Sequence, residues 1–175
     1  MNKLKELSTR KSVRLKGFDY SSSGYYFITI CVKDRREALG IVVLNAPLHV
    51  PYVQLSECGI FVESQIQKIN QIYPCVHIDN HIVMPNHVHM LAAVENGKHG
   101  SASPTKAMIP QVVQSLKSMT TKKFGNNIWQ RSYHDHIIRN VADFQRTWEY
   151  IDNNPSRWNE DVFYTCKETV FHKCK

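Results

Sequence analysis

Two histidines separated by one apolar residue are the side chains of this sequence best suited to chemistry. His87 and His89 stand within residues 84–91 (Met-Pro-Asn-His-Val-His-Met-Leu). Successive side chains of an extended strand point to opposite faces, so both imidazoles are expected on one face and Val88 on the other. Since neutral imidazole is the commonest protein metal ligand, the pair is suited to form half of a metal site. The alternative is two ordinary, half-exposed strand histidines.

A tyrosine in a late helix is the second candidate. Residues 141–154 are predicted to form a helix that Asn140 caps, and Pro155 ends it. At about 100° per residue, Tyr150 falls away from the apolar stripe and shares a face with Asn154, one turn further on. The stripe that we expect to face the core consists of Val141, Phe144, Trp148 and Ile151.

The position of Tyr150 allows two interpretations. It is either an ordinary surface tyrosine or a phenolic nucleophile. A phenol with a pKa of about 10 needs a nearby cation to react at neutral pH. A metal held by His87 and His89, with the Asn154 carbonyl as third ligand, would supply that help and would tie the metal to the helix of Tyr150.

Tyr133 is a rival nucleophile, because His134 and His136 stand beside it. It lies in a predicted strand whose side chains alternate between faces, so we interpret it as a residue that faces the core or the binding partner. His136 is kept as a possible site-lining residue.

The elements that must position these residues follow a recognisable order. Strands are predicted over residues 25–32, 76–83, 87–94 and 128–139, and helices over 56–73, 105–124 and 141–154. Residues 41–55 are predicted to be a hairpin or an irregular insertion. The first six elements predict an α+β fold: a ferredoxin-like, split βαβ antiparallel sheet with helices on one face, to which the helix of Tyr150 is added at the C-terminal side.

Bulk composition indicates one domain over residues 1–175, with a basic arm (1–17) and a C-terminal tail (160–175). The chain has 175 residues, 42% of them hydrophobic, and a net charge of +7, which favours a polyanionic partner. Any one lysine among the basic residues can equally be an ordinary solvated side chain. The candidate phosphate-binding residues are Arg10, Lys11, Arg14, Lys16, Lys117, Lys122, Lys123 and Arg131.

The five cysteines are odd in number and scattered, which favours reduced thiols and a cytoplasmic protein. Cys166, His172 and Cys174 suggest a zinc cluster, but no Cys-x-x-Cys pair supports it. We find no apolar stretch long enough to span a bilayer and expect no membrane partner.

Four motifs, in order, resemble those of the single-tyrosine HUH transposases, in particular the REP-associated tyrosine transposase branch. They are the HUH stretch at residues 83–89, the Tyr-Ile-x-x-Asn-Pro stretch at 150–155, the segment 128–139, and the start 14–20 leading into 26–31. The resemblance covers about residues 10–164. After Asn-Pro many relatives continue Val-x-x-Gly, whereas this chain has Ser-Arg-Trp-Asn.

This resemblance implies a ferredoxin-like enzyme that cuts and rejoins single-stranded DNA near small hairpins. His87, His89 and Asn154 would bind a divalent metal, Mg²⁺ or Mn²⁺, and Tyr150 would attack the scissile phosphate to give a 5′-phosphotyrosine link. A homodimer is possible, since some relatives share sites between subunits. The competing interpretation is a domesticated, non-catalytic relative that binds hairpin DNA or RNA.

Overall fold

The computed structural model of the protein describes residues 23–45, 47, 49–95, 108–125 and 128–160. No helix within these ranges combines the length and the apolar character needed to cross a membrane. Outside the described residues lie the predicted basic arm and tail, and with them Arg10, Lys11, Arg14, Lys16, Cys166, His172 and Cys174.

Six strands and four α-helices make up the described chain. In chain order they are β1 (Gly24–Cys31), β2 (Gly40–Asn45), β3 (Val50–Leu55), α1 (Glu57–Gln67), α2 (Ile69–Ile72), β4 (Val76–Val83), β5 (His87–Val94), α3 (Met108–Phe124), β6 (His134–Ile138) and α4 (Val141–Asp152). A 3-10 helix, Pro155–Glu160, follows α4.

The central sheet is antiparallel and has the spatial order β4-β5-β1-β6. Two β-α-β units, β1-α1-β4 and β5-α3-β6, therefore interlock in the split arrangement, and the predicted ferredoxin-like fold is confirmed. Between β1 and α1 the chain forms a separate antiparallel hairpin of β2 and β3, which decides the alternative for residues 41–55 in favour of a hairpin.

The apolar core lies between the sheet and α1 and α3. Every second residue of β1 and β5 points into it, so Tyr26, Ile28, Val88 and Met90 are fully buried there. Such alternation follows from the pleat of the strand. The opposite face of the sheet carries the histidines.

Helix boundaries follow the expected capping chemistry. The Ser56 side chain accepts a hydrogen bond from the Gly59 backbone N–H, and α1 begins there. The predicted helix 56–73 is interrupted at Lys68, whose N–H bonds to the carbonyls three and two residues back in a tightened turn. Gly125, with a φ of +68°, follows α3, as expected of a residue just past a helix C-terminus.

The last predicted strand, 128–139, is shorter in the structure. Only His134–Ile138 pairs with β1, and Trp129 forms an isolated bridge with Val32. The reason lies in α3: the Lys117 ammonium donates to the carbonyls of Gln130 and Ser132, which draws this part of the chain off the β1 ladder.

The predicted core-facing stripe of α4 is wrong in part. Val141 is 72% exposed and Trp148 is 36% exposed, whereas Thr147 and Ile151 are buried. The reason is that α4 does not join the apolar core; it packs on the opposite face of the sheet, against β4 and β5. Its inner face therefore mixes polar, aromatic and aliphatic side chains, which an apolar stripe does not reveal.

Candidate active site

The histidine pair occupies the α4 face of the two central strands. In the register of β1 and β5, Thr29 lies opposite His89 and Cys31 lies opposite His87. The intervening Val88 is part of the apolar core. The expected geometry of two imidazoles on one face of a strand is thus present, but neither is half-exposed: His87 is 0% and His89 is 1% exposed.

Each imidazole is held through its Nδ1 atom. His87 Nδ1 lies 2.8 Å from Asn86 Oδ1, and His89 Nδ1 lies 2.9 Å from Thr29 Oγ1. Because an amide oxygen can only accept, His87 carries a proton on Nδ1, and in the neutral ring the lone pair is then on Nε2. Such hydrogen bonds fix ring orientation and tautomer in histidines that bind metals.

Burial also affects the protonation of His89. Desolvation, followed by the proximity of His87, lowers the pKa of His89 well below 6.5. The two ring centroids are 4.4 Å apart, a distance at which two imidazolium cations would repel each other strongly. His89 is therefore neutral near pH 7, and neutral imidazole is the form that coordinates a metal.

Tyr150 lies against this pair, in the same chain. Its ring centroid is 5.2 Å from that of His89 and 5.9 Å from that of Phe27, with an edge-on contact to both. The side chain is half-buried. The sequence placed Tyr150 away from the packed side of α4; the structure places it on that side, because α4 packs on the histidine face.

The chain after Tyr150 spans the two imidazoles. Trp158, in the 3-10 helix, stacks on His87 with centroids 6.0 Å apart and an interplanar angle of 28°. Asn154 is 1% exposed and stands four residues after Tyr150 and four before Trp158. It is therefore a buried amide in the segment that joins the contact at His89 to the contact at His87.

Side chains at both ends of α4 hold the helix on this face. Near its end, Asp152 Oδ1 accepts a hydrogen bond of 2.9 Å from Asn80 Nδ2. A register shift between Ile78 and Asn80 in β4 turns Asn80 to the histidine face.

Near the beginning of α4, His136 Nε2 lies 2.9 Å from Asp143 Oδ2. His136, the possible site-lining residue, is thus exposed. It contacts Asp143 of α4, which stands seven residues before Tyr150. Tyr133, the rival nucleophile, is half-buried immediately before β6 and packs against the apolar core.

The donor set fits a divalent metal of borderline character. Nε2 of both His87 and His89 and Oδ1 of Asn154 are buried, and no other residue of the described chain forms a hydrogen bond to these three atoms. Amide oxygen suits Mg²⁺ and Mn²⁺, whereas imidazole nitrogen suits softer metals such as Zn²⁺, so the three atoms form a mixed donor set. Within the described ranges, no group of three or more His, Cys, Asp or Glu side chains gathers, so a site built only of these residue types is absent there.

The predicted phosphate-binding residues that the structure describes lie in two places. Lys117, Lys122 and Arg131 line a groove of about 750 Å³ between α3 and the segment before β6. Lys117 already donates to two carbonyls, and burial lowers its pKa to about 8. Lys123 lies elsewhere, with its ammonium 4.3 Å from the centre of the Phe61 ring.

Sequence reasoning missed several residues of this region. Thr29 and Asn86, which hold the imidazoles, were not singled out, although strand alternation places Thr29 on the histidine face. The contact of Trp158 with His87 was not predicted either. Lys33 and Arg35 also went unnoticed; with Arg131 they line a second cavity.

The chain is similar in sequence to known proteins. The chain is 32% identical over 173 residues to an uncharacterized protein of Haemophilus influenzae, covering 89% of this chain and 93% of that protein. It is 26% identical over 146 residues to the REP-associated tyrosine transposase of Escherichia coli K12, covering 82% of this chain and 74% of that protein.

Among solved structures, a REP-associated tyrosine transposase bound to a REP hairpin matches with a TM-score of 0.55. The identity is 22%, over 77% of this chain and 68% of that one, so this likeness shows the shared fold. No protein-family model matches the chain. The chain is thus homologous to REP-associated tyrosine transposases and resembles them in fold and in the motifs at residues 83–89 and 150–155.

Proposed function

We propose that this protein is a metal-dependent transposase that cuts and rejoins single-stranded DNA through a 5′-phosphotyrosine intermediate. One observation carries the proposal: the Tyr150 ring lies 5.2 Å from the ring of His89, which in turn lies 4.4 Å from the ring of His87. A phenol beside two buried, oriented imidazoles is a nucleophile next to a site for a cation.

In the proposed reaction, the Tyr150 phenol oxygen forms a bond to the scissile phosphorus as the bond from phosphorus to the 3′ oxygen breaks. The phenolic proton is lost and the departing 3′ oxygen gains one, which leaves a free 3′-hydroxyl. Attack by the 3′-hydroxyl of another strand reverses the exchange. One phosphoester replaces another at each step, so ATP is not required.

His87, His89 and Asn154 would hold Mg²⁺ or Mn²⁺, which supplies Lewis-acid polarisation and orientation of the phosphate when bound. The contribution of the protein itself is positioning. Asn86 and Thr29 set the imidazole rings, and the anchoring of α4 sets the phenol. When one group must attack in line with another, such pre-organisation lowers the activation free energy substantially.

DNA with a hairpin is the proposed substrate. The solved relative is bound to a REP hairpin, and the net charge of +7 favours a polyanion. Because Tyr150 and the histidines belong to one chain, the proposed chemistry can take place within a single subunit. The competing function, hairpin binding without catalysis, is an outcome of the test below.

The test is formation of a covalent adduct. We expect the wild-type protein with Mn²⁺ and a labelled, single-stranded hairpin oligonucleotide to give a band of protein joined to DNA on a denaturing gel, and EDTA to abolish it. Tyr150→Phe, which removes only the phenolic oxygen, should bind the DNA and give no adduct. Tyr52→Phe, at an exposed tyrosine of the β2–β3 hairpin, is the matched control.

Three outcomes separate the alternatives. An adduct that persists in Tyr150→Phe and disappears in Tyr133→Phe would assign the nucleophile to Tyr133. An adduct insensitive to EDTA would remove the metal from the proposal. Tight hairpin binding by the wild type with no adduct under any metal would leave the non-catalytic function.

A further inference from the structure

We infer that a basic cup formed by Lys33, Arg35 and Arg131 binds the phosphate backbone of a DNA hairpin stem beside the histidine pair. This inference rests on the proposed function and assigns a surface to its substrate. The cup is a cavity of about 500 Å³ between the turn after β1 and the segment before β6. Its lining residues are Lys33, Asp34, Arg35, Gln130, Arg131 and Ser132.

The charge of the cup fits an anion. The side chains of Lys33, Arg35 and Arg131 are all exposed, and Asp34 is the single carboxylate among the described residues of the lining. These described residues therefore carry three cations and one anion. Among its described lining residues none is aromatic, so these residues offer no platform for base stacking. The cup is suited to phosphates, which a base-paired stem presents on its outside.

The cup lies at the histidine end of the sheet. The Lys33 N–H donates to the Ile128 carbonyl at 2.7 Å, and the Gln130 N–H donates to the Cys31 carbonyl at 2.9 Å. Cys31 is the register partner of His87. The two sides of the cup are therefore fastened to the strand that lies next to the histidine strand.

A buried amide joins the cup to the candidate metal ligand. Asn86 is 1% exposed; its Nδ2 donates to the Arg35 carbonyl at 3.3 Å, and its Oδ1 accepts from His87 Nδ1 at 2.8 Å. The Asn86 side chain thus fixes both the backbone of Arg35, whose side chain lines the cup, and the ring of His87. A phosphate held by Arg35 would lie in a fixed relation to the imidazole pair.

The backbone of the turn is held in an uncommon conformation. Asp34 and Arg35 have φ values of +57° and +54°, and neither is glycine. Residues other than glycine adopt this region only when their surroundings impose it. Here the hydrogen bond from Asn86 and the bond from the Arg35 N–H to the Val32 carbonyl impose it, and they direct the chain so that Lys33 and Arg35 flank one cavity.

The cup also continues into the groove of α3, because Gln130 and Arg131 line both. Lys122 adds a further exposed cation there. A tract of positive charge therefore runs from α3, through Arg131, to the end of the sheet that carries His87.

The test measures DNA binding without catalysis. In a Tyr150→Phe protein with EDTA, binding of a fluorescein-labelled hairpin oligonucleotide is followed by anisotropy from 50 to 300 mM salt. We expect the triple variant Lys33→Gln/Arg35→Asn/Arg131→Gln to bind at least about tenfold more weakly at 150 mM salt, and the slope of log K against log salt to fall by about 2 to 3. Asparagine is chosen at position 35 because it tolerates a positive φ.

Controls separate charge from folding. Lys68→Gln removes an exposed cation between α1 and α2, away from the cup, and should bind within about twofold of the parent protein, with an unchanged salt slope. The charge-preserving triple variant Lys33→Arg/Arg35→Lys/Arg131→Lys should restore the salt slope. Circular dichroism checks that each variant has the unfolding midpoint of the parent protein.

An unchanged affinity and salt slope in the folded, charge-removed triple variant would overturn the cup. Weakened binding of an unpaired oligo-dT of equal length, with no loss for the hairpin, would overturn the assignment to a stem. The proposed function fails separately: a wild-type protein that binds the hairpin through the cup yet forms no adduct with Mn²⁺ at saturating DNA would retain the cup and lose the strand transfer.

Discussion

The two faces of the central sheet bury side chains of different chemistry, although the same strands form both faces. On the α1 and α3 side, β1 and β5 present Ile28, Val88 and Met90, which are fully buried among apolar neighbours. On the α4 side, the same strands present His87 and His89, equally buried but polar. Burial alone therefore does not distinguish the faces; the chemistry of the buried groups does.

The cost of burial explains what each face does. Fully burying an aliphatic side chain contributes about 1.5–3 kcal/mol to stability, so the α1 and α3 face holds the fold together. Burying a polar ring is unfavourable unless hydrogen bonds compensate for lost water, and here Asn86 and Thr29 supply them at Nδ1. The α4 face thus keeps polar groups in fixed orientations, as a catalytic site requires.

The largest expected contrast comes from neighbouring residues of β5 that point to opposite faces. His89→Ala should lower adduct formation by more than about 100-fold, since removing a proposed metal ligand should exceed the 10–100-fold loss typical of residues that only support a ligand. Met90→Ala should lower the free energy of unfolding by about 2–5 kcal/mol and leave adduct formation within a few-fold below its melting temperature. Adduct gels and urea unfolding measure the two effects; equal loss of activity in both variants would contradict the division of the faces.

A smaller effect is expected from the support of His89. Thr29→Val keeps the shape of the side chain and removes the hydroxyl 2.9 Å from His89 Nδ1. We expect Mn²⁺ affinity, measured by calorimetry, to fall about 10–100-fold. Thr29→Ser, which keeps the hydroxyl, is the control; an equal loss in both variants would mean that the methyl group, not the hydrogen bond, matters.

The anchoring of α4 should have a modest effect. Asn80→Ala removes the hydrogen bond to Asp152, which should cost about 0.5–1.5 kcal/mol of unfolding free energy and reduce the adduct rate as the end of α4 loosens under Tyr150. Gln67→Ala breaks a comparable exposed hydrogen bond to Glu63 on the other side of the sheet. It should cost similar stability without slowing the adduct.

The smallest effect concerns pH on the core side. The hydrogen bond from His81, opposed by partial burial, lowers the pKa of Glu63 below 4.5. A carboxyl group with a lowered folded-state pKa stabilises the protein above the unfolded-state pKa and loses that contribution as the pH falls through the folded-state value. Urea unfolding between pH 3 and 6 should show this loss, at most about 1 kcal/mol, and Glu63→Gln should remove it. An unchanged pH profile in Glu63→Gln would contradict the assignment.

Local patterns predicted much of the fold. The bounds of β4 and β5 were predicted as Val76–Val83 and His87–Val94, and the predicted cap Asn140 accepts the expected hydrogen bond. These features depend on alternation and on neighbours within four residues, which a sequence displays directly. The shortened β6 depends on a distant partner, the Lys117 ammonium, which no local pattern contains.

The candidate site was predictable in its members but not in its arrangement. The sequence by itself determined that His87 and His89 share a strand face and that Tyr150 and Asn154 share a helix face, because backbone periodicity fixes both. Only the tertiary structure decided that these two faces meet, since α4 packs on the sheet through contacts between side chains more than 50 residues apart, such as Asn80 with Asp152. The apolar stripe of α4 predicted a different packed side for this helix. The side that packs on the sheet contacts polar and aromatic groups, so it is not marked by a run of apolar residues.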